Sequence, residues 1–303
     1  MISVITPNYN GERWLDDCLQ SIASQTLSQD NIELVFIDDG SNDSSREIAD
    51  NYRNDIPGLS NIWHEHTGMP GKLRNLGIER ALGDYVLFLD SDDFLGVEAL
   101  EKLDNFTKDN PSDIVAFQLE GLNRRVPQSM LRETIADANI VSSGLYKTLG
   151  TWKMCSTDFI RATGLKFGDL GRGEDTLFFT EAMLRAEKTS VVSGYPFYTV
   201  RGREDSSSIT QQEWDPEKRI NVAKKMAQTI MRWSPDANTA NHFFIRVFNI
   251  DVVGLLSSSL VTDGEKIKLK ATFGQYWNDD IKRLIYTEEN RLILEDFFEG
   301  EFV

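Results

Sequence analysis

The chain predicts an α/β fold: a doubly wound, mostly parallel sheet followed by a helical C-terminal region. Three observations carry this. Short unbroken apolar runs alternate with segments of helical periodicity, the pattern of βαβ units. Several of those runs end abruptly in carboxylates or turn residues, as strands buried on both faces do at a ligand-binding edge. Beyond about Asp215 the strand signals stop and the pattern is mostly helical. The expected division is residues 1–212 for the α/β part and 213–303 for the helical part.

The elements follow in order. Ile2-Ser3-Val4-Ile5-Thr6 reads as the first strand, ending in the turn-rich Pro7-Asn8-Tyr9-Asn10-Gly11. Trp14, Leu15, Cys18, Leu19, Ile22 and Ala23 then fall on one helical face. Leu34-Val35-Phe36-Ile37 is the next buried strand, closing on Asp38-Asp39-Gly40, and Ser41, Asn42 and Asp43 offer caps for a helix over 44–52. Ile62-Trp63-His64 is a third strand. A glycine-proline loop at Gly68-Met69-Pro70-Gly71 leads into a helix through Arg74, Leu76, Ile78 and Ala81. Tyr85-Val86-Leu87-Phe88-Leu89 is a strand, followed by a helix near 97–106 and a strand at Ile114-Val115-Ala116-Phe117. Residues 121–171 read as irregular. A helix is expected over 176–186, with strands at Val191-Val192 and over 195–200.

Composition limits the partners. With 303 residues, 40% of them hydrophobic, the chain can bury a large core. Its 48 acids against 32 Lys and Arg give a net charge of −16, which disfavours nonspecific binding to nucleic acid. Cys18 and Cys155 form neither a disulfide framework nor a zinc spacing, so a reducing cytoplasm is expected. No apolar stretch approaches the roughly 18 residues needed to span a bilayer, and no basic leader precedes the first strand. If the substrate is a surface or lipid-linked molecule, the chain is expected to meet it on the cytoplasmic side, at the inner face of the membrane.

Chemistry concentrates at the strand ends. Asp90-Ser91-Asp92-Asp93 places three carboxylates within four positions. Like charges that close call for a cation, and a hard divalent ion with a phosphate-bearing substrate suits them; a solvated acidic turn is the alternative. In a parallel sheet this cluster lies beside Pro7-Asn8-Tyr9 and Asp38-Asp39. Asp39 is placed to accept hydrogen bonds from a base or ribose, Tyr9 to stack on a base, and Asp92 to hold a metal bridging a diphosphate. Lys72 and Arg74 are expected to meet phosphate or sugar, unless they form a solvated helix face. Gly173-Glu174-Asp175 precedes an apolar helix; it is either acidic capping or the source of a general base. His64 and His66 share one strand face, with at most a place beside the nucleotide; His242 reads as a packed helix residue.

Taken together, Ser3-Val4-Ile5-Thr6-Pro7-Asn8-Tyr9-Asn10, Phe36-Ile37-Asp38-Asp39-Gly40-Ser41, Leu89-Asp90-Ser91-Asp92-Asp93 and Gly173-Glu174-Asp175 resemble the motifs of the family 2 glycosyltransferases with the GT-A nucleotide-diphospho-sugar fold. The resemblance covers about residues 1–210. It implies a UDP-sugar donor held by Pro7, Tyr9, Asp39, Asp90, Ser91, Asp92 and Glu174. It also implies Mn²⁺ or Mg²⁺ on the D-x-D motif at Asp92 and Asp90, and Asp175 as the catalytic base of an inverting transfer. More narrowly, Pro70-Gly71-Lys72-Leu73-Arg74-Asn75 and Val126-Pro127-Gln128-Ser129-Met130 are similar to segments of the wall teichoic acid poly(ribitol-phosphate) N-acetylglucosaminyltransferases. That match implies UDP-GlcNAc as donor. It places Arg74 near the diphosphate or sugar and Gln128 and Ser129 near the donor sugar or acceptor.

The chain departs from that pattern over Arg201-Gly202-Arg203-Glu204-Asp205-Ser206-Ser207-Ser208, where relatives often carry a histidine. Asp205 is the stand-in metal ligand, and Ser206 and Ser207, with the arginines, are expected to close over the diphosphate. Lys218, Arg219, Lys224 and Lys225 form either a basic strip for a polyanionic acceptor or, the favoured reading, a solvated helix face. A homo-oligomer is compatible with the helical tail. The competing activities are a UDP-glucose or UDP-galactose transferase making another surface polysaccharide, a nucleotidyltransferase and a non-catalytic sugar-nucleotide-binding module. The nucleotidyltransferase is disfavoured because Asn8-Tyr9-Asn10-Gly11-Glu12-Arg13 lacks the glycine- and base-rich loop it needs.

Overall fold

The computed structural model describes residues 1–203 and 214–300. The described strands are β1 (Ile2–Asn8), β2 (Ile32–Asp38), β3 (Leu59–Trp63), β4 (Tyr85–Phe88), β5 (Phe94–Leu95), β6 (Ile114–Phe117), β7 (Leu119–Leu122), β8 (Lys153–Ser156), β9 (Thr189–Val192) and β10 (Tyr198–Arg201). Seven of them form the main sheet in the order β3-β2-β1-β4-β8-β6-β9, and a small sheet β5-β10-β7 stands beside it.

β1 pairs in parallel with β2 from Ile2↔Ile32 to Asn8↔Asp38, and with β4 from Ile2↔Tyr85 to Ile5↔Phe88. The carboxyl ends of β1, β2 and β4 therefore reach one edge together. Every residue of β1 and β2 is buried, as expected for parallel strands covered on both faces. The covering helices are α1 (Leu15–Ala23), α2 (Ser45–Asn51), α3 (Pro70–Arg80), α4 (Ala99–Asp109), α5 (Thr157–Thr163) and α6 (Glu174–Arg185). α1 turns Leu15, Cys18, Leu19 and Ile22 inward, and each such aliphatic side chain contributes about 1.5–3 kcal/mol on burial. α3 lies so close to β1 that a Cβ at Gly77 would meet Ile5 Cγ2 at 2.4 Å.

One central strand escapes the sequence reading. β8 sits inside the stretch expected to be irregular and runs antiparallel to both neighbours, β4 and β6. Its first residue is Lys153, only 1% exposed, so the inward pattern that marks the other strands is broken by a charge. α5 follows directly, capped by Ser156 Oγ, which accepts from Phe159 N at 3.3 Å.

The helical region comprises α7 (Pro216–Trp233), α8 (Ala237–Arg246), a π-helical turn over Val247–Val252, α9 (Val253–Leu256), α10 (Asp263–Phe273), α11 (Asp279–Leu284) and α12 (Glu288–Glu299). α7 packs on α6, and α8 reaches the turn at Leu145–Lys147, where Tyr146 meets His242 and Phe243. Ile230, Phe243 and Phe248 belong to the same buried cluster as the sheet. The expected division after residue 212 falls outside the described residues.

Candidate active site

A cleft of about 760 Å³ opens over the edge where β1, β2 and β4 end, and its far wall is built by α6, α7 and α8. Pro7, Tyr9, Asp39, Arg74, Asp90 and Ser91 line it, and so do Asp92, Glu174 and Asp175. Acids far apart in the chain thus face a common space.

At the β1–β2 end, Asn8 Nδ2 donates to Asp38 Oδ1 at 3.0 Å, and Ser41 N donates to the same carboxylate at 2.9 Å. Asp38 is therefore spent on holding the two strand ends together. Asp39 is buried, and its oxygens accept from Thr67 N (2.9 Å), Thr67 Oγ1 (3.0 Å) and Gly68 N (2.9 Å). It fixes the loop that carries His66 into the cleft. Tyr9 is 44% exposed and stacks on His66 with ring centroids 4.1 Å apart. The pair offers an aromatic ledge at the strand end.

At the end of β4 the acids divide their work. Asp93 accepts from Tyr198 Oη (2.8 Å) and Arg201 N (2.7 Å), tying the cluster to β10. Burial, then Asp92 and Asp90, push its carboxyl well above the usual range. Asp92 is pushed up by burial and by Asp90, against the pull of Arg203. Arg203 Nε donates to Asp92 Oδ2 at 2.6 Å while its guanidinium lies 4.5 Å from the Trp14 ring centroid. Two carboxylates with raised proton affinity describe a place where further positive charge is favoured. Among the described residues no three His, Cys, Asp or Glu side chains converge as a ready metal cage.

Arg74 joins the two halves of the site. It is 5% exposed, and it donates to Asp90 Oδ1 at 2.7 Å and to Glu174 Oε1 at 2.8 Å. Burial raises the Glu174 carboxyl, and Arg74 opposes this. Gly173, at φ +83°, makes the left-handed turn into α6 that a side chain would strain. In the first turn beyond it, Glu174 points inward to Arg74, whereas Asp175 borders the cleft with Oδ1 accepting from Thr176 N at 2.7 Å.

Five expected residues are placed elsewhere or lie beyond description. Lys72 is exposed and does not line the cleft. Residues two apart on a helix project to different sides, so Arg74 takes the inward position that Lys72 cannot share. Gln128 is likewise exposed and away from the cleft, in a bend whose carbonyl accepts from Leu131 N. Asp205, Ser206 and Ser207 lie outside the described residues.

The sequence reading missed the far wall. Arg124, Trp152, Arg172, Trp214, Arg219 and Arg246 border the cleft there. Of the basic strip in α7, Lys218, Lys224 and Lys225 are exposed as a solvated face, but Arg219 turns in. Its Nη2 donates to Ile250 O in the π-helical turn at 2.7 Å, and Arg246 pairs with buried Asp251 at 3.1 Å. Burial and Arg219 hold the Arg172 guanidinium below its ordinary value. The signals in the sequence are Arg219 within the basic strip and Arg172 standing next to Gly173-Glu174-Asp175.

Comparison with known proteins gives consistent results. The family model described as glycosyl transferase family 2 matches residues 3–164. A poly(ribitol-phosphate) beta-glucosyltransferase of Bacillus spizizenii is 38% identical over 200 residues, 65% of this chain and 32% of that one. The poly(ribitol-phosphate) beta-N-acetylglucosaminyltransferase TarS of Staphylococcus aureus is 33% identical over 231 residues, 76% of this chain and 40% of that one. The chain thus spans well under half the length of these relatives. The crystal structure of S. aureus TarS in complex with UDP-GlcNAc superposes with a TM-score of 0.87 at 28% identity, covering 99% of this chain and 88% of that chain.

Proposed function

Because this chain belongs to glycosyl transferase family 2, we propose that it moves a sugar from a UDP-sugar, UDP-GlcNAc first, onto a hydroxyl of a phosphate-bearing surface polymer such as poly(ribitol-phosphate), with inversion. The observation that carries this reading is the convergence of Asp39, Asp92 and Asp175 on one cleft. Support for GlcNAc comes from the similarity to TarS, crystallised with UDP-GlcNAc; glucose is the second reading, favoured by the 38% identical glucosyltransferase.

In the proposed transfer, uridine lies along the Tyr9–His66 ledge at the ends of β1 and β2. The acceptor hydroxyl gives its proton to Asp175 as its oxygen attacks the anomeric carbon, and the bond from that carbon to the UDP oxygen breaks on the opposite face. Arg74 keeps Glu174, and with it the first turn of α6, in place while this happens. Asp92 and Asp90 fit a divalent ion: they are hard oxygen donors in a region that favours added positive charge, and such ions commonly take one or two protein carboxylates and complete their shell with phosphate and water. Bound there, Mn²⁺ or Mg²⁺ would supply Lewis-acid neutralisation of the departing diphosphate.

The acceptor side is formed where the helical region, described over 214–300, meets the α/β part. Arg172 and Arg219 lie against Trp214 in the same cleft as Asp175, which in a chain of net charge −16 is a local field suited to a phosphodiester. Among the described residues no helix is long and apolar enough to cross a membrane. The reading has the reaction on the cytoplasmic side, at the inner membrane face for a lipid-linked acceptor. The test is Asp175→Asn. UDP binding by calorimetry should persist, while transfer from UDP-GlcNAc to poly(ribitol-phosphate) should fall about 10²–10⁴-fold, the usual range for a lost general base. Unchanged transfer removes Asp175 from the reaction.

A further inference from the structure

Lys153 has no part in the chemistry above, yet it is the one fully buried lysine among the large core side chains. Its Nζ donates to Gly150 O at 2.9 Å and lies 4.6 Å from the Phe179 ring centroid. Among the described residues no carboxylate stands within ion-pair distance of it. A buried cation with one hydrogen-bond acceptor and one aromatic face is expensive, and the unbranched side chain of methionine has nearly the same length without that cost. Packing therefore does not explain the residue.

Its neighbours do. Gly150 O belongs to the turn that carries Thr151 and Trp152 into the cleft, and Lys153 N also donates to Thr151 O at 2.7 Å. Phe179 belongs to α6, whose first turn bears Asp175. β6 presents only Ala116 opposite Lys153. The titratable groups acting on the amine are Cys155 on its own strand and Asp175 on α6.

Resting on the transferase reading, we propose that Lys153 is a positioning residue for the transfer: when protonated, its ammonium clamps the Gly150–Trp152 turn to α6 beneath the cleft and supplies a positive charge behind Asp175. Only the protonated amine makes both the charge-assisted bond to Gly150 O and the contact with the Phe179 face. Burial lowers its proton affinity to about 7, with Cys155 and Asp175 opposing. The clamp accordingly loosens as pH rises through neutrality.

The experiment is kcat at saturating substrates from pH 6 to 9, read as UDP release from UDP-GlcNAc with poly(ribitol-phosphate), for wild type, Lys153→Met and Lys153→Arg. UDP calorimetry and melting temperature are measured alongside. Wild-type kcat should fall as pH rises through about 7. Lys153→Met should show, already at pH 6, the low wild-type value of pH 9, with no limb between, UDP affinity within about twofold and an unreduced melting temperature. Lys153→Arg, charged throughout, should hold its pH 6 rate to pH 9. A wild-type profile flat over this range overturns the inference alone, as does a folded Lys153→Met with wild-type kcat at pH 6. Loss of activity that merely follows a lowered melting temperature makes Lys153 a strut and overturns it too. Should Lys153→Met fail to fold, the wild-type limb and its absence in Lys153→Arg decide. A wild type that transfers nothing at any pH refutes the transferase reading and this inference with it.

Discussion

Replacing Arg74 with methionine tests whether the two halves of the site are held together by charge. The guanidinium is 6% exposed on its side chain, and it touches Asp90 at 2.7 Å and Glu174 at 2.8 Å. Unit charges about 4 Å apart attract by about 4 kcal/mol at an effective dielectric of 20; the gross attraction is larger than the net, because three groups are desolvated to make it. The measurable quantity is the cost of removing one partner and leaving the others buried, about 3–5 kcal/mol. The sign with pH follows from Glu174. Its folded-state proton affinity is already raised by burial, and losing Arg74 raises it further. A carboxyl raised in the folded state binds its proton more readily there than in the unfolded chain, so stability falls as pH rises from the ordinary glutamate value through the folded one. The Arg74→Met deficit should therefore be full at pH 7.5 and smaller at pH 5. Urea unfolding followed by circular dichroism at the two pH values measures it. A deficit below about 1 kcal/mol, or one equal at both pH values, would refute the reasoning.

Asp92→Ala should lose the metal-dependent part of UDP binding, and chelation of wild type should do the same; equal affinity with Mn²⁺ and with EDTA would dissociate the D-x-D acids from metal. Gly77→Ala should cost about 1–3 kcal/mol, because the added methyl meets Ile5 at 2.4 Å; an unchanged urea midpoint would show that α3 is free to shift. Lys153→Met should melt higher than wild type at pH 6. The unfolded lysine keeps its proton up to about 10.5 and the folded one only to about 7, so the native state carries a penalty of up to about 5 kcal/mol below pH 7, which fades as pH rises toward 10. An advantage that is constant from pH 6 to 10 would contradict this.

The strand ends were legible because burial on both faces leaves an unbroken apolar run, and a ligand edge leaves polar residues where the run stops. Val4-Ile5, Val35-Phe36 and Val86-Leu87 show this pattern, and the parallel register delivers Asn8, Asp38 and Asp90 to one edge. β8 was hidden by Lys153, whose charge argues against a core strand in any local reading. Lys72 takes the solvated-face alternative because one helix cannot turn positions 72 and 74 to the same side. The arginine wall was illegible for another reason. Arg219 and Arg246 face the cleft through the packing of α7 and α8 on the α/β layer, and a single helix with charges on several sides does not declare which of them turns inward.

The antiparallel strand in the middle of the sheet has a consequence for how the chain is made. In the sheet β4 and β6 are joined only through β8, so a nascent chain that has emerged only as far as Asn123 carries the parallel β3-β2-β1-β4 fragment with an unsatisfied inner edge and a β6 whose partners β8 and β9 are both still to come. Such edges invite pairing with other chains, and they wait on a segment some thirty residues further along in synthesis. Closure of the sheet is thus a late, non-local event. Any fragment ending before Ser156 should be insoluble rather than merely inactive, while aggregation during expression should respond to changes in residues 124–152 that leave the finished protein untouched.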